Sequence, residues 1–280
     1  SEKNKGTEYI SQLVFDLKGN LDVEKLEIAW NKVCQKYGVL RSVFKRNIWG
    51  DQFQIVLNDV YYQFNQIDLS ASNKLEQEIN LKHLANNARE NSIDLENGPI
   101  MNIMLVKLSE CQYQFIWTHH HVILDGWSLQ IVMHQFMNNY HNPMTNDNDE
   151  KERVAYHEIM QHLLTNKPNN ESEFWSQQLQ HINQLIIPSK NQQVERHAAV
   201  DNILEFSLSE ELTKQLIDLS KKYRNTMNSV VQAIWSLAQT ALTGNKYICY
   251  GVTSSGRNVS IPNIDSAVGL FINTLPFLIE

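Results

Sequence analysis

The sequence predicts an α/β fold, and three observations carry the prediction. Residues 9–18 alternate, with Leu13, Phe15 and Leu17 on one face and Gln12, Asp16 and Lys18 on the other, the period of a half-buried strand. Val23, Leu26, Ala29, Trp30, Val33, Cys34 and Tyr37 then recur at helical spacing. Finally, residues 113–128 run from an aromatic strand through an Asp125-Gly126 turn into an amphipathic helical pattern. The 280 residues, 42% of them hydrophobic, suffice for a substantial core.

Taken in order, Gly19-Asn20 turns the chain after the first strand, Asp22 stands where a helix N-cap belongs, and Gly38 stops that helix. Strands over residues 40–44 and 52–57 flank Trp49-Gly50-Asp51 as a hairpin. Residues 73–91 are helical in pattern, Asn97-Gly98-Pro99 closes that segment, and Met101, Ile103 and Leu105 alternate in a strand over residues 100–108. Ser109-Glu110-Cys111 reverses the chain into the histidine-bearing strand. Past Gly126, the residues Leu129, Val132, Met133, Phe136, Met137 and Tyr140 form one apolar helix face.

Residues 141–151 are polar and read as an exposed loop. Helical segments over 156–164 and 171–179 follow, with Phe174 and Trp175 expected in the core and His157 and His162 expected to face solvent. Residues 182–199 show no clear period, so the chain divides into one lobe over 1–182, a linker over 183–199, and the first part of a second lobe over 200–280. That lobe is expected to open with a strand over 202–208, a helix capped by Ser209, a helix over 227–242 ended by Gly244, and a strand over 247–252.

A net charge of −7 with no Lys/Arg run argues against nucleic acid as a partner. Cys34, Cys111 and Cys249 are odd in number and sit in apolar segments, which reads as reduced, buried thiols of a cytoplasmic protein rather than a disulfide framework. No stretch approaches the ~18 consecutive apolar residues of a membrane span. The polar start Ser1-Glu2-Lys3-Asn4-Lys5 is not a signal peptide.

Three successive histidines end the aromatic strand, and each imidazole carries a donor and an acceptor that need partners when buried. Period-two geometry puts His119 and His121 on the face of Tyr113, Phe115 and Trp117 and turns His120 to the other. One histidine is then free to be structural while another meets a substrate. A metal site on His119, His121 and Asp125 lacks a further His or Cys cluster to complete it. The helix that starts at Gly126 sets free N–H groups and a positive dipole end beside His121, which disfavours an imidazolium there. A serine-hydrolase reading fails because no GxSxG elbow surrounds Ser128.

His120-His121-Val122-Ile123-Leu124-Asp125-Gly126-Trp127-Ser128 resembles the HHxxxDGWS signature of the condensation domains of nonribosomal peptide synthetases. Residues 36–44 resemble that family's RHExLRTxF motif through Leu40, Arg41 and Phe44, with Tyr37 in place of the usual histidine. Gly251-Val252-Thr253-Ser254-Ser255-Gly256-Arg257 is similar to its GVTxSGR segment, and Val268-Gly269-Leu270-Phe271-Ile272-Asn273-Thr274-Leu275-Pro276 to its VGxFxNTLP segment. The resemblance runs through nearly the whole chain. It implies a chloramphenicol acetyltransferase-like two-layer sandwich, two-lobed with a tunnel between the lobes and the second lobe incomplete, so that the chain is expected to be a fragment at both ends.

What the resemblance implies about function is peptide-bond formation between a donor aminoacyl or peptidyl thioester and the amine of an aminoacyl acceptor. Both ride on phosphopantetheine arms of upstream and downstream carrier domains, an adenylation domain lies adjacent, and the domain itself holds no cofactor or metal. By the same resemblance His121 is the catalytic residue. His120, Asp125, Gly126, Trp127 and Ser128 support the active-site loop, Arg41 forms a structural ion pair with Asp125, and Gly269, Asn273 and Thr274 line the tunnel floor. The alternatives are a non-catalytic carrier-docking module of the same fold and a related HHxxxDG acyltransferase that uses a free alcohol or amine. Epimerisation domains usually place Ser-Trp beyond the aspartate and heterocyclisation domains replace the histidines by aspartates, whereas this chain has His120-His121 and Trp127-Ser128.

Overall fold

The first strand, β1 (Ile10–Lys18), and the first helix, α1 (Val23–Lys36), form where alternation gives way to helical spacing, and the Asp22 side chain caps the helix by accepting from the Lys25 N–H at 3.0 Å. The computed structural model describes residues 9–91, 93–143, 152, 154–166, 170–180, 182 and 204–280. After α1 come the hairpin strands β2 (Ser42–Arg46) and β3 (Gln52–Val56), then β4 (Asn65–Asp68) and α2 (Lys74–Glu90), which opens with a capping box between Asn73 and Glu76. The long strands β5 (Met101–Ser109) and β6 (Gln112–His120) lead to α3 (Gly126–His141), followed by α4 (Tyr156–Thr165) and α5 (Glu171–Gln178). The last elements are α6 (Glu210–Lys222), α7 (Met227–Thr243), β7 (Ile248–Ser254) and β8 (Asn273–Ile279).

The sheet that positions the histidines has the order β1-β6-β5-β4. Strand β6 is antiparallel to both neighbours, and the register sets His119 opposite Ser11 of β1 and Met101 of β5. Being paired on both edges, β6 cannot slip without moving every side chain to the wrong face. One face buries Tyr113, Phe115 and Trp117 under Trp30 of α1 and Phe136 of α3; the other buries Ile116, Met104 and Val106 under Leu81, Leu84 and Ala85 of α2. Trp30 stands edge-on to Trp117 at 4.7 Å and to Phe136 at 5.1 Å, so three aromatic side chains from three elements lock α1, α3 and β6 together.

The chain divides into two units, Ser1–Lys167 with Ser255–Asn273, and Pro168–Ser254 with Thr274–Glu280. The sequence assigns all of residues 200–280 to a second lobe, but Ser255–Asn273 packs within the first unit. The reason is a small core of its own: Ile264, Ala267 and Phe271 pack with Ile159 of α4, and Val268 joins the main core. The linker expected over 183–199 lies outside the described residues.

Within the second unit, Ser209 caps α6 as expected, Thr226 caps α7, Gly244 ends α7 at φ 70°, and β7 pairs with β8. Three sequence expectations are corrected. Of the strand expected over 202–208, the described residues 204–208 have no regular structure, and Leu204 and Phe206 are 86% and 80% exposed; their alternation suits a strand, but none of the described strands pairs with them. Phe174, expected in the core, is half exposed and meets Trp175 edge-on. Cys34 is buried, which pushes its thiol well above the usual range, but Cys111 is exposed at the β5–β6 turn. No helix among the described residues is long and apolar enough to cross a membrane.

Trp30→Ala should lower unfolding free energy by about 3–5 kcal/mol. Trp49→Ala, at the 80%-exposed hairpin tip, should change it by no more than about 0.5 kcal/mol. Urea unfolding of both variants beside the wild type checks the contrast.

Candidate active site

Strand β6 stops at His120 because the chain tightens there into a 3-10 turn over His121–Ile123. His120 turns that corner: its Nδ1 accepts the Val122 N–H at 3.1 Å, while its own N–H donates to the Ile100 carbonyl at 3.2 Å. Burial and the neighbouring His121 hold its pKa below the ordinary imidazole range. The His121 N–H donates to the Tyr9 carbonyl at 2.7 Å, so the backbone of His121 is tied to the start of β1. His121 lines a cavity of about 180 Å³ with His119, Ser11, Gln12, Leu124, Asp125 and Gly126.

His119 is 3% exposed and packs on Trp117 with 4.5 Å between centroids and the rings tilted by 34°. Burial, and then the proximity of His121 and His120, pull its pKa down to about 4, so it is neutral at neutral pH.

Asp125 closes the turn. Its Oδ1 accepts the Ser128 N–H at 2.8 Å, capping α3, and its Oδ2 accepts the Phe271 N–H at 3.0 Å. Its own N–H donates to the Gly269 carbonyl at 3.2 Å. The Leu129 N–H, which donates to the Asp125 carbonyl at 3.0 Å, is the first bond of the α3 ladder; the Gly126 and Trp127 N–H groups precede it and point out of the helix start. A side-chain carbon added at Gly126 would meet no protein atom within 4 Å.

The ion pair expected between Arg41 and Asp125 does not form. The guanidinium of Arg41 is taken up by backbone carbonyls, with Nε donating to Cys34 at 2.8 Å, Nη2 to Gln35 at 3.3 Å, and Nη1 to Leu57 and to Asn58. Arg41 thus ties α1 to the end of the β2–β3 hairpin. The cation beside Asp125 is Arg257, whose Nη2 lies 3.6 Å from Oδ1, both side chains being almost fully buried. The SGR segment supplies it, and the sequence signal was there in that motif without a role attached.

Arg257 does more than face a carboxylate. Nη1 donates to the Ile264 and Ala267 carbonyls at 2.6 and 3.0 Å, Nη2 donates to Ser128 Oγ at 2.9 Å, and the guanidinium lies 4.5 Å from the Phe271 ring centre and 5.5 Å from that of Trp127. Ser128 Oγ in turn donates to the Gly269 carbonyl and accepts its N–H. Trp127 Nε1 donates to the Asp265 carbonyl at 3.1 Å. Gly269 is required here: a Cβ at that position would run into the Tyr156 ring, whose hydroxyl donates to the Leu270 carbonyl at 3.2 Å.

Of the expected site residues, His120, His121, Asp125, Gly126, Trp127, Ser128 and Gly269 come together in the first unit. Asn273 closes that unit, and Thr274 begins the last segment of the second. Arg257, Tyr156 and Glu152 are additions that sequence reasoning missed. Glu152 accepts the Val268 N–H at 3.4 Å, and its burial pushes its pKa up to about 7 against the opposing pull of the Val268 and Gly38 N–H groups. Among the described residues no three His, Cys, Asp or Glu side chains converge as a metal cage.

Comparison with known proteins brings in independent findings. The family model described as "Condensation domain" matches residues 2–280. Among curated proteins, bacitracin synthase 3 of Bacillus licheniformis is 30% identical over 272 residues, covering 96% of this chain, and gramicidin S synthase 2 of Aneurinibacillus migulanus is 26% identical over 274 residues, covering 97%. The chain spans 4% of the length of the first and 6% of the second. Among solved structures, the epimerization domain from the third module of tyrocidine synthetase B superposes with a TM-score of 0.84 at 19% identity, covering 98% of this chain and 64% of that one. The first condensation domain of the calcium-dependent antibiotic synthetase, solved in complex with a substrate analogue, gives a TM-score of 0.73 at 17% identity, over 98% of this chain and 65% of that one. These likenesses establish the fold as that of condensation domains.

Arg257→Met should cost about 3–5 kcal/mol, because it leaves the Asp125 carboxylate buried without its cation. In double-mutant cycles with Asp125→Asn, Arg257→Met should couple by about 1 kcal/mol or more and Arg41→Met by less than about 0.5. For Glu152, a pKa raised from 4.5 to about 7 means that its neutral form is the one the fold prefers. Its contribution is fully present below pH 4.5 and is lost as pH rises through about 7. Glu152→Gln, which stays neutral, should therefore gain stability over wild type across that window, by up to ~1.4 kcal/mol per pH unit, and level off above it. Melting temperatures of the two proteins measured across that window check the sign.

Proposed function

The chain belongs to the condensation-domain family, and on that premise we propose that it joins a carrier-bound aminoacyl or peptidyl thioester to the amine of a carrier-bound aminoacyl acceptor in nonribosomal peptide synthesis. The observation that carries the proposal is the pairing of His121 with the start of α3 around one small cavity, on a turn that Asp125 anchors from both sides. A nucleophilic amine has to be aimed and relieved of a proton as it attacks, and an imidazole within hydrogen-bond reach serves both needs.

In the proposed reaction the acceptor nitrogen adds to the thioester carbonyl carbon, and His121 takes the proton that the nitrogen sheds. As the C–S bond breaks, that proton passes to the departing sulfur, which leaves as the free thiol of the donor's phosphopantetheine arm. No bond forms between enzyme and substrate. Negative charge that develops on the carbonyl oxygen is met by the Gly126 N–H and the dipole of α3. His120 holds the corner on which His121 stands, and Trp127 and Ser128 keep the helix start in place.

The same proposal extends to the surroundings. The partners are an upstream donor carrier domain, a downstream acceptor carrier domain and an adjacent adenylation domain, in a cytoplasmic assembly. One fold relative is described as a four-domain nonribosomal peptide synthetase bound to AMP and glycine, an architecture consistent with such neighbours. Fold likeness does not choose between condensation and epimerisation, since the epimerization domain of tyrocidine synthetase superposes with the higher TM-score. The residues favour condensation: Trp127-Ser128 follows Asp125-Gly126 in the order the condensation signature has.

With donor and acceptor carriers loaded, intact-protein mass spectrometry should detect a dipeptidyl thioester on the acceptor carrier. His121→Ala, still folded, should slow its formation by roughly 10²- to 10⁴-fold. Equal rates would remove His121 from the chemistry. Retained carrier binding without turnover by the wild type would favour a docking module, a product made with a free soluble amine or alcohol would favour an acyltransferase, and an inverted donor without a new bond would favour epimerisation.

A further inference from the structure

His119 is the histidine to which no motif assigns a role. It sits on the central strand, held by Ser11 on one side and Met101 on the other, with its ring packed against Trp117. A neutral imidazole has one donor and one acceptor nitrogen. Nδ1 is fully buried and has no hydrogen-bond partner among the described residues. A stranded N–H is the costlier occupant of such a position, at about 1–3 kcal/mol, and orphaned buried N–H groups are rarer than under-used acceptors. The favoured tautomer therefore leaves Nδ1 bare and puts the hydrogen on Nε2, the nitrogen left to serve the cavity that His119 lines with His121 and Gly126.

We propose that His119 is a second catalytic imidazole, donating from Nε2 to the carbonyl oxygen of the donor acyl group as the amine attacks. The proposal rests on the condensation reading above and deepens it. The donor direction selects the ligand atom: an attacking amine has its lone pair committed to the carbonyl carbon and offers only N–H groups, which a protonated Nε2 cannot accept, whereas a thioester carbonyl brings an acceptor. The chemistry matches the place, since the developing oxyanion would then lie between a neutral N–H donor and the first N–H groups of α3. With its pKa held near 4, His119 keeps its proton on Nε2 and does not add an imidazolium beside the group that must act as a base. No proton is transferred to or from it; His121 alone carries the proton from nitrogen to sulfur.

The test compares His119→Phe, which keeps the stacking area on Trp117 but has no donor, with His119→Gln, which restores an N–H. His119→Phe should lower kcat by roughly 10²- to 10³-fold with KM for the loaded acceptor carrier unchanged, and His119→Gln should recover part of the loss. A fold-only role would show instead as equal losses in the two variants with a matching fall in melting temperature, and that result, or undiminished kcat in His119→Phe, overturns the proposal. A second measurement does not depend on turnover. In ¹⁵N-histidine spectra at neutral pH, His119 should carry its proton on Nε2, and that resonance should move when aminoacyl-aminopantetheine, the amide isostere of the donor thioester, is added. A proton on Nδ1, or movement of His121 without His119, overturns the proposal. Should the wild type form no peptide bond with competent carrier pairs, the condensation reading falls on its own, and the spectra with the isostere still decide whether His119 binds an acyl carbonyl.

Discussion

The interaction on which the rest of the first unit depends is the buried carboxylate of Asp125. At 3% exposure it has to be met on every side or the desolvation cost goes uncompensated. It is met by the Ser128 N–H, the Phe271 N–H and the Arg257 guanidinium, three groups from three places in the chain. One side chain thereby caps α3, anchors the returning segment Ser255–Asn273 and fixes the turn that follows the histidines. Charge alone would not do this: the Arg257 contact is a single one at 3.6 Å, and the backbone hydrogen bonds are the shorter ones.

The second constraint is the two-sided pairing of β6. Because register is imposed by β1 and β5 together, the three histidines cannot exchange places, and period two hands each a different environment. His119 faces the aromatic core, His120 turns to bond the corner, and His121 has stepped out of the strand into the 3-10 turn. The same aromatic packing that buries Trp117 also desolvates His119, so core and site share a wall. A residue there cannot be altered for chemistry without also being felt by α1 and α3.

Much of this was legible in the sequence because it is local. The alternation of β1 and β6, the apolar face of α3, and the caps at Asp22 and Ser209 are set by neighbours a few residues apart, and they appear where the pattern puts them. What was not legible depends on chain return. Arg41 and Arg257 are both arginines beside turn motifs, and nothing in their spacing says which of them crosses to Asp125. The choice is made by the core of Ile264, Ala267 and Phe271, which draws Ser255–Asn273 into the first unit and brings Arg257 with it. Residues 204–208 fail for the complementary reason: alternation states which face would be buried, but a strand also needs a partner edge. Glu152 gave no signal at all, since a lone carboxylate in a polar stretch reads as solvated until its burial is seen.

The two arginines also show that this site is held largely through main-chain atoms. Arg41 donates to four backbone carbonyls, Arg257 to two, and Asp125 and Ser128 bond to the main chain of Phe271 and Gly269. A bond to a carbonyl or an N–H does not depend on which side chain that residue carries. Around the site, then, the requirement is on the path of the backbone: Gly256 at φ +68°, where a Cβ would strike the Phe271 carbonyl, and Gly269 under Tyr156 mark two points at which that path leaves no room. The site therefore asks for particular charged, hydroxyl and glycine residues and for the backbone path that they hold.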